Sequence, residues 1–327
     1  MKILIIHSYG MGDMIMFTPS LRKLVEKYSG VTIDVLVFQK MAAEPIKYCE
    51  KVHKIYYSDL NIINIFQTIG RLRRNCYDIS IFTSGTNTLK AGLFSFFISA
   101  KERIGEYRKY PLPFYTKNIK YQEKLHRVEN NILLVSDKIN NIPSPLFCID
   151  NTIEIKKIIH KNDTLVIGIH PGSNVKFKKR RWSKDYFITL INLLKQEYTC
   201  EILLFGGPDE IDEARYIEEF TDVTLIAGYS LQEVALLISK CDLFINTDSG
   251  LGHIASCLNI ETFTIFGPAK SYKTKPYSLK AHIIKLDLSC QPCYGKKIEF
   301  CSGLECLVDL TPKYVFDQIV NIRNRLL

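Results

Sequence analysis

The sequence has no apolar run long enough to cross a membrane as a helix. The longest, near residues 93–100, falls well short of the roughly 20 residues that a bilayer requires. At the start, Met1 and Lys2 lead into residues 3–6, an apolar run too short for the core of a secretory signal. Both absences argue against an integral membrane protein. They predict a soluble, cytoplasmic chain.

The charge is distributed unevenly along a chain of 327 residues, a length that suits two domains. Residues 1–155 carry 21 Lys and Arg against 14 Asp and Glu, whereas residues 156–327 carry 22 against 20. A basic first half favours an anionic partner there, such as nucleic acid, a phosphorylated lipid or a membrane surface. A solvated basic face is the alternative.

The first glycine-rich turn lacks the third glycine of a dinucleotide-binding fingerprint. It follows an apolar strand over residues 2–7 and precedes apolar residues at helical spacing, so it opens a Rossmann-like unit. Its sequence, Gly10-Met11-Gly12-Asp13, puts a carboxylate where pyrophosphate would lie. Because a carboxylate repels pyrophosphate, a nicotinamide cofactor is not expected at this turn.

Strands and helices alternate through both halves of the chain. This alternation predicts an α/β protein with two Rossmann-like, doubly wound parallel sheets facing a cleft. A breaker at residues 140–145, Asn-Asn-Ile-Pro-Ser-Pro, indicates the linker. We therefore expect one domain over residues 1–155 and a second over residues 156–327.

Within the first domain, the pattern predicts helices over residues 42–49 and 127–139, and a loop-rich basic stretch over residues 101–124. Pro19 interrupts the first helical pattern. The helix then either begins at a Thr18 cap, with Pro19 in its first turn, or begins at Asp13 and kinks.

A stretch over residues 242–255 dominates the second half. Residues 243–245 predict a short buried strand, and Asp248, Ser249 and Gly250 supply turn and helix-capping chemistry. A helix that begins on such a turn directs backbone N–H groups and its positive end at whatever lies above the strand. An anion is the expected guest, and an ordinary strand-to-helix loop is the alternative.

Four of the ten cysteines cluster near the C-terminus, at Cys290, Cys293, Cys301 and Cys306. Four thiols at this spacing are typical of a tetrahedral metal site, usually zinc. Disulfides are disfavoured in the cytoplasm, so free thiols in a loop are the alternative.

Six short motifs follow one another along the chain. They are Gly-Met-Gly-Asp-Met-Ile-Met-Phe-Thr-Pro at 10–19, His-Pro-Gly-Ser at 170–173, Lys-Arg-Arg-Trp at 179–182, Phe-Gly-Gly-Pro-Asp-Glu at 205–210, Asn-Thr-Asp-Ser-Gly-Leu-Gly-His at 246–253 and Phe-Gly-Pro at 266–268. In this order and spacing they resemble glycosyltransferase family 9, the ADP-heptose:lipopolysaccharide heptosyltransferases. The resemblance covers almost the whole chain and is densest after residue 165.

The resemblance implies the GT-B fold, with the acceptor on the N-terminal domain and the nucleotide-sugar on the C-terminal one. It also implies an inverting transfer that requires no cofactor, and a structural role for any metal at the cysteines. Apolar residues within 314–327 predict a last helix. In GT-B proteins such a helix often packs back on the N-terminal domain.

Asp13 matches the family's general base. Inverting transfer needs a carboxylate that takes the proton of the acceptor hydroxyl as its oxygen attacks the anomeric carbon. The alternative from the sequence is a plain helix cap, which Asp provides well. His7 and His170 end strands and are predicted to be structural.

The resemblance assigns the donor to Ser173, Arg180, Arg181, Glu210, Asp248, Ser249, Gly250 and His253. Arg180 stands where the family often has a phosphate-binding Lys, and its guanidinium offers bidentate contact. A solvated basic loop is the alternative for Arg180 and Arg181. Asp248 is expected to bind sugar hydroxyls and Glu210 the ribose, although Glu210 would also favour a helix start. His253 either contacts phosphate or is structural.

The implied function is transfer of a heptose from ADP-heptose to the inner core of lipopolysaccharide or lipooligosaccharide. The expected acceptor is an anionic glycolipid of the Kdo/heptose–lipid A type, bound by Arg103, Arg108 and Lys109 in peripheral contact with the inner leaflet; no nucleic acid is expected. The alternatives are another nucleotide-sugar, a capsule, O-antigen or protein acceptor, and a non-catalytic nucleotide-binding protein.

Overall fold

A computed structural model describes residues 1–85, 88–155, 164–173, 175–293, 298 and 301–326. The chain divides into two compact units, Met1–Ile149 and Asp150–Leu327, close to the predicted boundary. Each unit contains one six-stranded sheet whose neighbouring strands all run parallel, which confirms the predicted α/β class. None of the described helices combines the length and apolarity needed to cross a membrane.

The first unit is built on strands β1 (Lys2–His7), β2 (Thr32–Val37), β3 (Lys54–Tyr57), β4 (Ile79–Phe82), β5 (Glu102–Tyr107) and β6 (Lys117–Lys120). They are ordered β3-β2-β1-β4-β5-β6 across the sheet. The chain moves outward from β1 to β3 and returns to β4 on the other side. β1 and β4 therefore border the switch point, where open α/β sheets bind ligands beyond the carboxyl ends of their strands.

The helices of this unit are α1 (Met11–Ile15), α2 (Thr18–Lys27), α3 (Ile62–Arg73), α4 (Thr88–Ile98) and α5 (Arg127–Leu133), with a 3₁₀ helix over Lys40–Ile46. Two helices replace the single one considered around Pro19, which lies in the first turn of α2, where its missing N–H costs no hydrogen bond. The helix predicted over 42–49 is the 3₁₀ helix, which contains Pro45. The helix predicted to reach residue 139 ends at Leu133.

The stretch predicted to be rich in loops, over residues 101–124, contains two strands that were not predicted, β5 and β6. Their charged residues occupy the sheet border, where side chains reach solvent and polar sequences are common. Gly105 of β5 lies against the ring of Tyr115; a Cβ at Gly105 would come within 2.1 Å of it. Because these border residues are charged, the sequence pattern did not predict the two strands.

The second unit is built on strands β7 (Leu165–His170), β8 (Cys200–Phe205), β9 (Thr224–Ile226), β10 (Leu243–Thr247), β11 (Glu261–Ile265) and β12 (Ala281–Ile284). Their order is β12-β11-β10-β7-β8-β9, so the switch point of this sheet lies between β7 and β10. The central strands are buried apolar runs, as parallel sheets with two covered faces require. β12 was not predicted.

Its helices are α6 (Lys184–Glu197), α7 (Ile211–Glu219), α8 (Leu231–Ile238), α9 (Gly250–Cys257), α10 (Ser271–Thr274), α11 (Glu305–Val308) and α12 (Pro312–Leu326), with a 3₁₀ helix over Val175–Arg180. The predicted last helix is α12. Its Val315, Phe316 and Ile319 belong to the same apolar core as Leu190 and Leu194 of α6. The described packing of α12 is thus within the second unit.

Candidate functional site

His170 connects the loops at the switch point of the second sheet. It ends β7, directly beside Asn246 of β10. Its Nδ1 lies 2.9 Å from the Ser249 hydroxyl and its Nε2 lies 3.4 Å from Glu210 Oε1. An ionised carboxylate only accepts, so Nε2 carries a proton and donates to Glu210. His170, predicted to be structural, thus joins two predicted donor residues.

Glu210 is packed into the turn after β8 as an ionised carboxylate. Burial by itself raises the pKa of this carboxyl, but the hydrogen bond with His170 and the charges of His170 and Arg181 outweigh it, so the pKa lies below its usual value. Gly172 makes room for the side chain, since a Cβ there would lie 2.2 Å from Glu210 Cγ. The carboxylate is held at the start of α7.

Arg180 and Arg181 are both fixed by protein contacts. Arg180 Nη1 lies 3.1 Å from Asp248 Oδ2, and these two side chains are only 13% and 11% exposed. Arg181 donates to the Ser173 carbonyl at 2.6 Å and pairs with Glu213 of α7 at 2.8 Å. The alternative of a solvated basic loop therefore fails for both arginines.

The start of α9 offers backbone N–H groups at the same edge. Ser249 occupies the N-cap position, yet its side chain does not cap the helix, because its hydroxyl bonds to His170. Gly252 allows α9 to approach β10 closely; a Cβ there would lie 2.2 Å from Asn246 Nδ2. The predicted strand, turn and helix are thus present, and buried His253 lies in this helix. An uncapped helix start beside a cation suits an anionic guest.

Asp13 lies at the switch point of the first sheet. It is the third residue of α1, whose N-cap is Gly10, so it is not the plain N-cap that the sequence allowed. Its side chain is 29% exposed and its Oδ1 lies 3.8 Å from Arg127 Nη1. The carboxylate is therefore accessible to solvent beside a fixed cation.

Glu106 and Arg127 complete this edge, and sequence reasoning missed both. Glu106 accepts from the Ser84 hydroxyl at 2.7 Å and from the Gly85 amide at 2.8 Å. Burial raises its pKa, although Ser84, Gly85 and the Arg127 charge partly offset that effect. Arg127 donates to the Ser84 carbonyl at 2.7 Å. Within the described residues, its buried Nε makes no hydrogen bond.

No pattern in the sequence distinguished these two residues. Glu106 stood in the stretch predicted to be rich in loops, and Arg127 was one of eight basic residues between 99 and 127. The available signal was positional: Arg127 is the first residue of α5, and its His126 cap forms a capping box with Glu129.

His7 is a buried structural residue, as predicted. Its Nε2 bonds to the Gly10 carbonyl at 3.1 Å, which can only accept, so Nε2 carries the proton. Its Nδ1 then accepts from the Thr83 hydroxyl at 2.9 Å. Complete burial lowers the pKa of this imidazole, although the negative charge of Asp13 acts in the opposite direction. A neutral His7 holds the turn after β1 against the turn after β4.

The three predicted acceptor residues have different surroundings. Arg103, at the amino end of β5, donates to the carbonyls of Phe114 at 2.8 Å and Ala100 at 2.9 Å. Arg108 follows β5 at the carboxyl edge, stacks on the Tyr121 ring at 4.7 Å and is half exposed beside Glu123. Lys109 is exposed next to it. Arg108 and Lys109 thus share an edge with Asp13, whereas Arg103 holds backbone at the opposite end of its strand.

The cysteine cluster is described only in part, since residues 294–297, 299 and 300 lie outside the described residues. Cys293 donates to the Cys290 carbonyl, and Cys306 is buried. Lys179 donates to the carbonyl of Ile298 at 3.1 Å. In the part of the chain that the structure describes, no group of three or more His, Cys, Asp or Glu is arranged to hold a metal ion.

Comparison with known proteins gives a consistent family match. The model of glycosyltransferase family 9 (heptosyltransferase) matches residues 65–301. A lipooligosaccharide heptosyltransferase 2 from Campylobacter jejuni serotype O:6 is 32% identical over 170 residues, which cover 50% of this chain and 52% of that protein. Its counterpart from C. jejuni serotype O:2 is 24% identical over 340 aligned positions, covering 98% of each chain.

A solved structure confirms the fold. The structure of the Escherichia coli ADP-heptose lipopolysaccharide heptosyltransferase II superimposes with a TM-score of 0.78, at 22% identity and with 98% of each chain covered. At this identity the likeness shows the fold alone, which is GT-B, with two Rossmann-like units.

Proposed function

The chain belongs to glycosyltransferase family 9, and on that premise we propose that it transfers a heptose from ADP-heptose to the inner core of lipopolysaccharide or lipooligosaccharide. The names of its relatives supply the donor and acceptor classes. The observation that carries the proposal lies at the switch point of the second sheet, where Arg180 pairs with Asp248. In the same place His170 joins Ser249 to Glu210.

In this proposal the second unit holds the donor, as predicted for the domain over residues 156–327. Arg180 and the first N–H groups of α9, at Gly250, bind the diphosphate and take up the negative charge that develops as it leaves. The Asp248 carboxylate fixes Arg180 before the donor arrives, so less ordering is required during the reaction. Glu210 accepts from ribose hydroxyls. Ser173, Arg181, Ser249 and His253 line or support the same site.

The first unit holds the acceptor and the base, as predicted for the domain over residues 1–155. Asp13 takes the proton of the acceptor hydroxyl while that oxygen attacks the anomeric carbon opposite the leaving ADP. The C–O bond to the diphosphate breaks, and the anomeric configuration inverts. Arg127, Arg108 and Lys109 offer positive charge to the anionic acceptor at this edge. No step in the scheme passes through a metal ion or a cofactor.

A structural metal at the cysteine cluster is a separate part of the proposal. Four thiolates are the donor set that zinc prefers in closed structural sites. Elemental analysis of the purified protein should find about one zinc per chain. It should find less after Cys290→Ser and Cys293→Ser, with unchanged transfer rates at low temperature if the metal only stabilises. If the protein keeps the same melting temperature after its metal has been removed, the site is not structural.

We place the enzyme on the cytoplasmic side, peripheral to the inner membrane, because its acceptor is a membrane glycolipid. Mass spectrometry of the lipopolysaccharide core from a strain lacking this protein tests the substrate class. A core short of one heptose, restored by the wild-type gene and not by Asp13→Asn, is expected. An unchanged core, or one lacking a different sugar, would move the proposal to another nucleotide-sugar or another acceptor.

A further inference from the structure

The outer side of α4 is apolar although it faces solvent. Leu89, Leu93, Phe96 and Phe97 are all exposed, and their spacing places them along one stripe of the helix. The opposite side of α4 packs on the sheet through residues such as Phe94 and Ile98. The helix is thus apolar on both sides, which its packing within the unit does not require.

Helix α3 continues the same surface. Ile63 and Phe66 are both 63% exposed, and Leu72 on its inner side belongs to the same core as Phe94 and Ile98 of α4. The two helices lie side by side on one face of the sheet. We call the outward residues Ile63, Phe66, Leu89, Leu93, Phe96 and Phe97 the α3–α4 face. A contiguous exposed apolar surface of this kind is typical of a protein or membrane contact.

The charged residues of the two helices have one sign. Neither helix contains an acidic residue, whereas α3 carries Arg71 and Arg73 and α4 carries Lys90, all exposed. From residue 60 to residue 101, Asp78 is the only acidic residue, and Lys101 pairs with it at 2.7 Å. Aromatic and aliphatic side chains bordered by arginine and lysine match the interface of a bilayer that contains anionic lipid.

We propose that the α3–α4 face docks the protein on an anionic phospholipid bilayer, with the apolar side chains at the level of the acyl boundary and the basic ones among the headgroups. A second protein copy fits less well, because like charges at the border of the face would be opposed in a symmetric contact.

The topology relates this docking surface to the position of Asp13. Helices α3 and α4 follow β3 and β4, so their first turns, with Ile63 and Leu89, lie at the carboxyl edge that also bears Asp13. Docking through these two helix ends directs the edge that bears Asp13, the proposed base, toward the membrane. This last step rests on the proposed function, in which the acceptor is a membrane glycolipid; the binding of the bilayer itself does not.

Flotation of the full-length protein with lipid vesicles tests the proposal. The vesicles contain phosphatidylethanolamine with phosphatidylglycerol, or phosphatidylcholine alone. Wild-type protein should float with the anionic vesicles and lose binding as salt is added. The double variant Phe66→Gln/Leu89→Gln should partition about tenfold more weakly or worse, since two large apolar side chains contribute more than one decade in affinity.

A matched control removes exposed apolar side chains elsewhere. Phe220 is 54% exposed and Leu279 fully exposed on the second unit. Phe220→Gln/Leu279→Gln should float like wild type, and melting temperatures should show that both double variants are folded. Equal flotation of the two double variants, or wild-type protein that stays in the soluble fraction, would overturn the proposal. So would sedimentation velocity that shows the face buried in a dimer which Phe66→Gln/Leu89→Gln dissociates.

Transfer assays separate this inference from the function on which its last step rests. Phe66→Gln/Leu89→Gln should retain wild-type turnover on acceptor dispersed in detergent and lose it on acceptor embedded in vesicles. If wild-type protein floats but transfers no heptose in either format, the proposed function fails while the docking surface stands.

Discussion

His7 makes a testable contribution to stability at the scale of one side chain. Its neutral ring donates to the Gly10 carbonyl and accepts from Thr83 in a fully buried position. Burial holds its pKa in the folded chain below the usual 6.5. Below pH 6.5 the unfolded chain therefore binds more protons than the folded one, and stability is lost as the pH falls toward the lower pKa.

We expect His7→Gln to remove this pH dependence. Gln donates to Gly10 or accepts from Thr83 without titrating. In wild type the free energy of unfolding should fall by up to about 1.4 kcal/mol per pH unit below 6.5 on account of this group. Urea unfolding at several pH values measures the slope. A slope in His7→Gln equal to that of wild type would show that His7 is not responsible.

Asp13→Asn should abolish turnover without loss of donor binding. The amide keeps the size of the carboxylate but cannot take the proton, so kcat should fall by about 10²- to 10⁴-fold. Calorimetry should give an unchanged dissociation constant for ADP, because the donor residues lie in the second unit. Asp137→Asn, at a side chain 90% exposed on the first unit, serves as control. Near-normal kcat in Asp13→Asn would place the base elsewhere.

Arg180→Met should slow transfer, because it removes the cation that stabilises the leaving diphosphate. Removing a fixed cation beside developing charge costs about 10²- to 10³-fold in kcat, and it leaves Asp248 without its 3.1 Å partner. Arg180→Lys keeps the charge but loses the planar fork, so its loss should be smaller. Arg215→Met, at an exposed position of α7, is the matched control. Equal rates for Arg180→Met and the control would remove Arg180 from the mechanism.

At the scale of elements, glycine decides how closely the donor loops approach. Gly172→Ala would place a Cβ within 2.2 Å of Glu210 Cγ and displace that carboxylate from His170. We expect a cost of about 1–3 kcal/mol in the free energy of unfolding, as for overpacking elsewhere, together with weaker ADP binding.

Gly70→Ala provides the comparison for that substitution. Gly70 lies inside α3 with no atom near its missing Cβ, so alanine there should stabilise by about 0.5–1 kcal/mol through helix propensity. Thermal unfolding and ADP titration of both variants measure the difference. Gly172→Ala with wild-type ADP affinity would show that Glu210 is not positioned by this contact.

The elements also show which features the sequence could not predict. Buried runs such as β1 and β10 are recognisable because both faces of a parallel strand are apolar. β5 and β6 are not, since their burial depends on tertiary contacts, such as the pairing of β5 with β4 and the packing of Tyr115 against Gly105. The predicted loop-rich stretch over 101–124 therefore concealed Glu106 and its contacts to Ser84 and Gly85.

The candidate site, too, could be predicted from the sequence only in part. Asp248, Ser249 and Gly250 lie in a turn whose composition and flanking strand indicate an anion site. The partners of these residues do not follow from composition. His170 was predicted to be structural, and the resemblance did not predict the Arg180–Asp248 pair. Such pairings depend on strand order, which brings β7 beside β10 although 72 residues lie between the end of β7 and the start of β10.

On the scale of the whole molecule, each unit carries its polar residues at its own switch point. In the second unit these are a cation, a helix start and two carboxylates; in the first they are Asp13 beside Arg127 and the buried Glu106. One set suits a nucleoside diphosphate sugar and the other suits proton removal from an anionic acceptor. The division of labour proposed for the two halves rests on this difference.

The most direct test is transfer by purified protein with defined donors. ADP-heptose and a UDP-hexose are each incubated with heptose-deficient inner-core glycolipid in detergent, and the glycolipid is weighed by mass spectrometry. We expect the acceptor to gain one heptose from ADP-heptose with release of ADP, no gain from the UDP-hexose, and no gain with Asp13→Asn. A wild-type enzyme that adds nothing from ADP-heptose, or that adds sugar only from the UDP donor, would contradict the account.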